Sequence, residues 1–169
     1  VRRRVILVWS RVDCKLIHGQ IAAAWAPYLK AEVIVVADDD TAGDPMAQAI
    51  MRLGLPPEIS QAHFRPLADL AGFLSSPELA GRRVFLLFKS LADALKAAAD
   101  GLDLAELNLG NQLDQRSRDQ GLRLTETFFA RREDLAALAR LERQGLSVIL
   151  QSVPNAKCVR WRASKHDYD

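Results

Sequence analysis

The sequence predicts an α/β fold: an open, mostly parallel β-sheet with helices on both faces, in a single domain. Three observations carry this expectation. Short runs rich in β-branched and aromatic residues alternate with segments of helical spacing. The runs are apolar on both faces, as strands covered from two sides must be. Alternation of strand and helix along one chain builds βαβ units, whose crossovers lay helices on a parallel sheet. A length of 169 residues, with 49% hydrophobic and 26% charged residues, suits one packed globular unit spanning 1–169.

The first strand is expected at Val5–Trp9, ending near Ser10. Ile21, Trp25 and Tyr28-Leu29 mark one face of the first helix, which Pro27 should kink or shorten. A second strand spans Glu32–Ala37, and Asp38-Asp39-Asp40 follow it. Three carboxylates could suggest a Mg²⁺ site, but capping and dipole complementarity, with Asp44 ahead of the next helix, explain them better. Met46, Ile50-Met51 and Leu53 mark that helix, stopped by Gly54 and Pro56-Pro57. A helix over Leu67–Leu79, a strand at Val84–Phe88, a helix over Leu91–Ala99 and a strand at Glu106–Leu109 come next. The polar stretch Asn111–Gly121 reads as an exposed loop. Arg132–Gln144 is a helix closed by Gly145 at its C′ position, and Ser147–Gln151 the last strand. Beyond Pro154 the signal is weak, and residues 157–169 read as an uncertain tail.

Composition excludes several classes. A formal charge of +2 is too small for a nucleic-acid binder, and the basic residues are scattered apart from Arg2-Arg3-Arg4 and the stretch from Lys157 to Lys165. Cys14 and Cys158 form no CxxC pair, so no zinc site or disulfide framework is indicated. No run is long enough for a membrane helix, and residues 1–9 lack the length and cleavage site of a signal peptide. A cytoplasmic protein is the simplest expectation.

Chemistry concentrates between the first strand and the first helix. Ligands of open parallel sheets bind beyond the carboxyl ends of the strands, and there Arg11, Asp13, Lys15 and His18 place four ionisable groups in eight residues. An ordinary imidazole, with a pKa of about 6.5, is largely neutral at cytoplasmic pH and has a lone pair to attack phosphorus. Phosphoryl transfer asks chiefly for an in-line nucleophile and positive charge around the oxygens. Arg11 and Lys15 are expected to supply that charge, and the amides of Gly19 and Gln20 to add donors at a helix mouth. Asp13 would orient His18 or Arg11. Asn108 and Lys89, at or just after strand ends, are supporting candidates. His63 reads as a strand or surface residue, His166 falls in the tail, and Trp9 and Trp25 read as core or rim. A redox role for Cys14 is weaker than inert packing. No metal or cofactor is called for.

RVDCKLIHGQI resembles the pattern R-[IV]-D-x-R-L-[IL]-H-G-Q of IIB subunits of the mannose/fructose/sorbose family of the bacterial sugar phosphotransferase system. VIVVADDDTAGDPM, MRLGLPPEI, VFLLFKS, GLDLAELNLGN and LERQGLSVILQSVPN resemble successive family segments in order, so the likeness covers roughly residues 4–156. The resemblance implies that His18 accepts phosphate from a phosphohistidine on a IIA domain. It implies onward transfer to a sugar held by the membrane subunits IIC and IID, at whose cytoplasmic side the chain would be a peripheral partner. The motif arginine falls on Arg11, the acid on Asp13, and the Gly-Gln pair on Gly19 and Gln20. Two departures stand out. Lys15 replaces the second motif arginine, and Asn108-Leu109-Gly110-Asn111-Gln112 stands where Asn-x-Gly-Gly-Met is frequent. They motivate an alternative, a regulatory IIB-like phosphoprotein that transports no sugar. A nucleotide-binding module is a poor third, since GxxxxGK[ST] and GxGxxG are both absent. Sugar specificity and oligomeric state, a homo-oligomer included, stay open.

Overall fold

The computed structural model describes residues 5–164; Arg2-Arg3-Arg4, Lys165 and His166 lie outside them. Its main sheet has seven strands in the order β3-β2-β4-β1-β5-β8-β9. These are β1 (Ile6–Asp13), β2 (Val33–Ala37), β3 (Gln61–Arg65), β4 (Arg83–Phe88), β5 (Glu106–Asn111), β8 (Ser147–Leu150) and β9 (Val159–Arg160). All neighbours pair in parallel except β8 and β9. The expected open α/β sheet is therefore present, with helices on both faces.

One face packs against α1, which begins as a π-helix over Gln20–Trp25 and continues as α-helix over Ala26–Leu29, and against Met51 of α3 (Pro45–Leu53). The other face meets α4 (Leu67–Leu74), α5 (Leu91–Ala99) and α7 (Arg132–Arg143). The connection leaving β1 thus runs over one face, while those leaving its neighbours β4 and β5 run over the other. The loops diverge at the carboxyl end of β1, which opens the crevice where such sheets bind ligands.

Local chemistry accounts for the departures from expectation. Pro27 does not break α1: the Ala26 amide bonds back to Ile21 O, five residues earlier, and this wide turn takes up the proline that lacks an N–H. The helix expected over Leu67–Leu79 ends at Leu74, and Pro77 starts a separate 3₁₀ turn, Pro77–Leu79. β3 was hidden because Gln61, His63 and Arg65 interleave with Ala62 and Phe64 on an edge strand. His63 on it is an ordinary strand residue, 3.5 Å from Glu78, with burial pushing its imidazole pKa down. Asn111–Gly121 is not a loop, and only part of it is exposed: residues 114–116 and 118–120 face solvent, whereas its first two residues do not. Asn111 ends β5, Gln112 is buried with its amide on Leu91 N and Phe129 O, and the chain continues into α6 (Gln115–Gln120). α6 leads into a hairpin of β6 (Gly121–Arg123) and β7 (Phe129–Arg131). Within the tail, β9 extends the sheet and Trp161 is buried. Gly145 takes φ +108° after α7, a conformation that favours glycine at the expected C′ position. Among the described residues, no helix is long and apolar enough to cross a membrane.

The aspartates after β2 do act as caps. Asp38 accepts from Thr41 N at 2.9 Å at the start of α2 (Asp39–Ala42), Asp39 accepts from Leu67 N at 2.8 Å, and Asp44 accepts from Met46 N and Ala47 N. Asp38→Ala is expected to cost about 1–2 kcal/mol in urea denaturation. Adding Mg²⁺ should leave the wild-type melting temperature unchanged; a magnesium-dependent rise would contradict the capping account.

Candidate functional site

β1 runs three residues further than expected, and that extension builds the site. Along a strand, alternate residues share a face. Val12 enters the core beneath α5 and α7, whereas Arg11 and Asp13 point together to the α1 side. Both are fully buried. A buried ion pair is tolerated only when its remaining donors and acceptors are satisfied, and here all five guanidinium hydrogens have acceptors. Arg11 Nε and Nη2 donate to Asp13 Oδ2 at 3.1 and 3.0 Å. Nη1 donates to Asn108 Oδ1 and, at 3.0 Å, to Gln151 O; Nη2 also donates to Ser152 O at 3.1 Å. The Arg11 guanidinium lies 5.3 Å from the centre of the Trp25 ring, whose Nε1 donates to the same Ser152 carbonyl at 2.9 Å. Trp9 stacks on Trp25 in turn, so both tryptophans belong to this packing.

Arg11 is therefore the foundation of the site and no part of its rim. The expectation that its fork grips phosphate gives way, because the fork is sealed under protein and fully engaged. Asn108 is as fully buried as Arg11, donating from Nδ2 to Ile149 O and Gln151 O. Gly110 is required here by close approach: a Cβ would collide with the Arg11 guanidinium carbon and both its terminal nitrogens.

Above this base, Asp13 Oδ1 accepts from Lys15 N at 3.1 Å, while the Leu16 amide closes a turn onto Asp13 O. The turn throws Lys15 into solvent and drives Leu16, at φ +55°, into the core. A leucine in the left-handed region costs about 1–2 kcal/mol, which its burial offsets. The chain then brings His18 back over Asp13, with Nε2 3.0 Å from Oδ2 and the side chain 20% exposed. Burial alone would push the Asp13 carboxyl pKa up. The His18 hydrogen bond, the Arg11 charge and the Asn111 amide outweigh it and hold that pKa below the ordinary carboxylate range. An ionised carboxylate only accepts. In the neutral ring this places the proton on His18 Nε2 and the lone pair on Nδ1.

α1 starts immediately afterwards. His18 O accepts from the Ile21 and Ala22 amides, each at 2.9 Å, which leaves the Gly19 and Gln20 amides ahead of the first bonded turn without intrahelical acceptors. A Cβ at Gly19 would meet nothing within 4 Å, so packing within the chain does not require the glycine. Asn111, inside the stretch expected to be a loop, donates from Nδ2 to Asp13 Oδ2 at 2.8 Å and to Gln20 Oε1 at 3.3 Å. Its only local signal was its place at the end of an apolar strand.

Lys89 is not gathered with these groups. It lies 3.5 Å from both Asp38 and Asp40, beside an open recess of about 600 Å³ that Cys14 and Asp114 also line. The acidic lining of that recess repels a phosphoryl group. The structure thus unites His18, Asp13, Gly19 and Gln20, places exposed Lys15 on the same loop, and sets Arg11 and Asn108 beneath them.

Two outcomes follow from this network. Arg11→Met should destabilise the chain by about 3–5 kcal/mol, read by urea denaturation, because it strands a buried carboxylate. Asp13 also adds a pH dependence: its folded pKa is lowered, so its stabilisation is full above the unfolded value near 3.9 and fades as pH falls through the folded one. The stability difference between wild type and Asp13→Asn should be full at about pH 5 and shrink below about pH 4.

Comparison with known proteins agrees with this architecture. The model of the phosphotransferase-system sorbose-subfamily IIB component matches residues 7–165. The sorbose-specific EIIB component of Klebsiella pneumoniae is 26% identical over 144 residues, covering 85% of each protein. The N-acetylgalactosamine-specific enzyme IIB component 2 of Escherichia coli is 28% identical over 153 residues, covering 90% of this chain and 94% of that protein. The mannose-specific EIIAB component of Escherichia coli is 25% identical over 149 residues; the match takes in 88% of this chain but only 45% of that protein, so the chain spans about half of its length. Among solved structures, the IIBSor domain of the Klebsiella pneumoniae sorbose permease superposes with a TM-score of 0.81 at 25% identity, over 91% of this chain and 92% of that one.

Proposed function

The chain belongs to the sorbose subfamily of phosphotransferase-system IIB components, and on that premise we propose that it is a phosphocarrier which accepts a phosphoryl group on His18 Nδ1 and hands it to a sugar. One observation carries this reading: the Asp13–His18 contact, which leaves Nδ1 unprotonated at the carboxyl edge of a parallel sheet. In the proposed first step the Nδ1 lone pair attacks the phosphorus of a phosphohistidine on a IIA domain. The old N–P bond breaks, and its electron pair returns to the donor imidazole. The His18 ring keeps its Nε2 proton and becomes a cation, which the Asp13 carboxylate stabilises in the way a triad aspartate stabilises imidazolium.

The surroundings suit this chemistry. The amides of Gly19 and Gln20 and the positive end of α1 face developing negative charge. The open space at Gly19 leaves room for an incoming group. Lys15, exposed and near the rim, is the cation available to phosphoryl oxygens, with a point charge in place of a planar fork. In the second step the N–P bond breaks towards a sugar hydroxyl presented by membrane subunits IIC and IID. A site flush with the surface serves both exchanges, because two macromolecules must reach one imidazole in turn. No metal is needed for histidine-to-histidine transfer in this scheme. Of the two departures behind the regulatory alternative, Asn111 and Gln112 are buried parts of the fold, whereas exposed Lys15 is common to both readings, which separate only at transfer to sugar.

Incubation with phosphorylated IIA should label the wild type with acid-labile, base-stable phosphate, and nuclear magnetic resonance should place it on His18 Nδ1. His18→Ala should take none. Labelling that survives in His18→Ala, or phosphate on Nε2, overturns the proposal. Asp13→Asn should slow labelling by about a hundredfold or more, since an amide cannot stabilise the ring cation as a carboxylate does.

A further inference from the structure

Asn111 is the residue by which this chain departs from the frequent Gly-Gly pair, and it touches the site at two points. We infer that Asn111 is a positioning residue for phosphoryl acceptance: its side-chain amide fixes the Asp13 carboxylate beneath His18 and holds Gln20 so that the Gln20 amide nitrogen is free for phosphoryl oxygens. This rests on the phosphocarrier reading and deepens it.

The backbone sets up the contact. Arg11 pairs with Asn108 and Val12 with Leu109, but Asp13 pairs with Asn111, so the register skips Gly110. That one-residue bulge lets Gly110 pass flat beneath the Arg11 guanidinium and brings Asn111 opposite Asp13. Cys14 N then bonds to Asn111 O at 2.9 Å, locking the two strand ends together. Asn111 is only 4% exposed, so its amide is held in one arrangement.

The orientation of Gln20 follows from donor and acceptor rules. Asp13 Oδ2 can only accept, so the atom Asn111 presents to it at 2.8 Å is the amide nitrogen. That nitrogen has a second hydrogen, and Gln20 lies 3.3 Å away. The Gln20 atom receiving it must be the carbonyl oxygen, which turns the Gln20 NH₂ group away from Asn111. Gln20 is exposed, two residues past His18, and a lone glutamine there would rotate freely between oxygen-out and nitrogen-out. Oxygen-out repels a phosphoryl group; nitrogen-out donates to it. Asn111 selects the second. Glycine at this position could do neither task, having no side chain.

The transfer itself is unchanged: the N–P bond forms at His18 Nδ1 as the donor's N–P bond breaks. What changes is a donor already aimed before the oxygens arrive.

The test is a double-mutant cycle on the full chain, with phosphorylated IIA as donor and initial labelling rate per folded molecule as the readout. Gln20→Glu keeps the carbonyl-type acceptor for Asn111 and deletes the outward donor; on an exposed residue it should fold normally. Asn111→Ala removes the selector. Each single variant is expected to label about tenfold more slowly than wild type, and the double variant no more slowly than the slower single. Asn111→Gly, restoring the frequent pair, should match Asn111→Ala. A Gln20→Glu rate equal to wild type overturns the inference, and it can be read even where Asn111→Ala fails to fold. So does an Asn111→Ala protein that melts lower but labels at the wild-type rate, and so do losses that multiply to about a hundredfold in the double variant. If wild type itself takes no phosphate on His18, the phosphocarrier reading has failed instead, and the two failures are thereby distinguished.

Discussion

The buried Arg11–Asp13 pair is the constraint on which the rest of the site depends. Two charges at the dry end of a central strand are costly unless every remaining hydrogen-bonding group is answered. The acceptors that answer Arg11 come from β1, β5 and the segment after β8. A chain of local elements is thereby tied into one unit at the edge where chemistry is proposed. Burial lowers the Arg11 pKa, and the Asp13 charge raises it back only in part. Gly110 follows from the same pair, since only a residue without a side chain fits beneath it.

What the pair does for function is indirect. It leaves Asp13 ionised and immobile, with one oxygen serving Arg11, Asn111 and His18 together. In the neutral ring a fixed acceptor at Nε2 takes the proton there, the arrangement on which the proposed transfer rests. The imidazole itself stays part-exposed on the turn that Asp13 also organises through the Lys15 amide. Rigidity lies below and access above. The proposed carrier role, with two partners met in succession, needs both.

Much of the fold was legible because apolar runs and helical spacing are local signals. The central strands lie within a few residues of their expected places, and Gly145 and Asp44 do what their positions suggested. The departures share a cause: polarity marks a residue locally as exposed, whereas its burial is decided from a distance. Arg11 and Asp13 looked like loop charges, although the alternation Arg-Val-Asp was the mark of a continuing strand. Asn111 and Gln112 looked exposed, although their partners Asp13, Leu91 and Phe129 bury them. The edge strand β3 carried too many polar residues on its open side to register as a strand.

The sequence by itself determined the family, the class of sheet, and the grouping of His18 with Asp13, Gly19 and Gln20 in one place, because these sit within one short contiguous motif. Only the tertiary structure decided what each neighbour touches. Arg11 moved from the expected phosphate grip to the foundation, because its acceptors lie as many as 141 residues away. Asn111 moved from loop to site across 98 residues, through a bulge that no local pattern announces. Hydrogen-bond partners distant in sequence fix orientation and protonation, and those choices exist only once the strands are side by side.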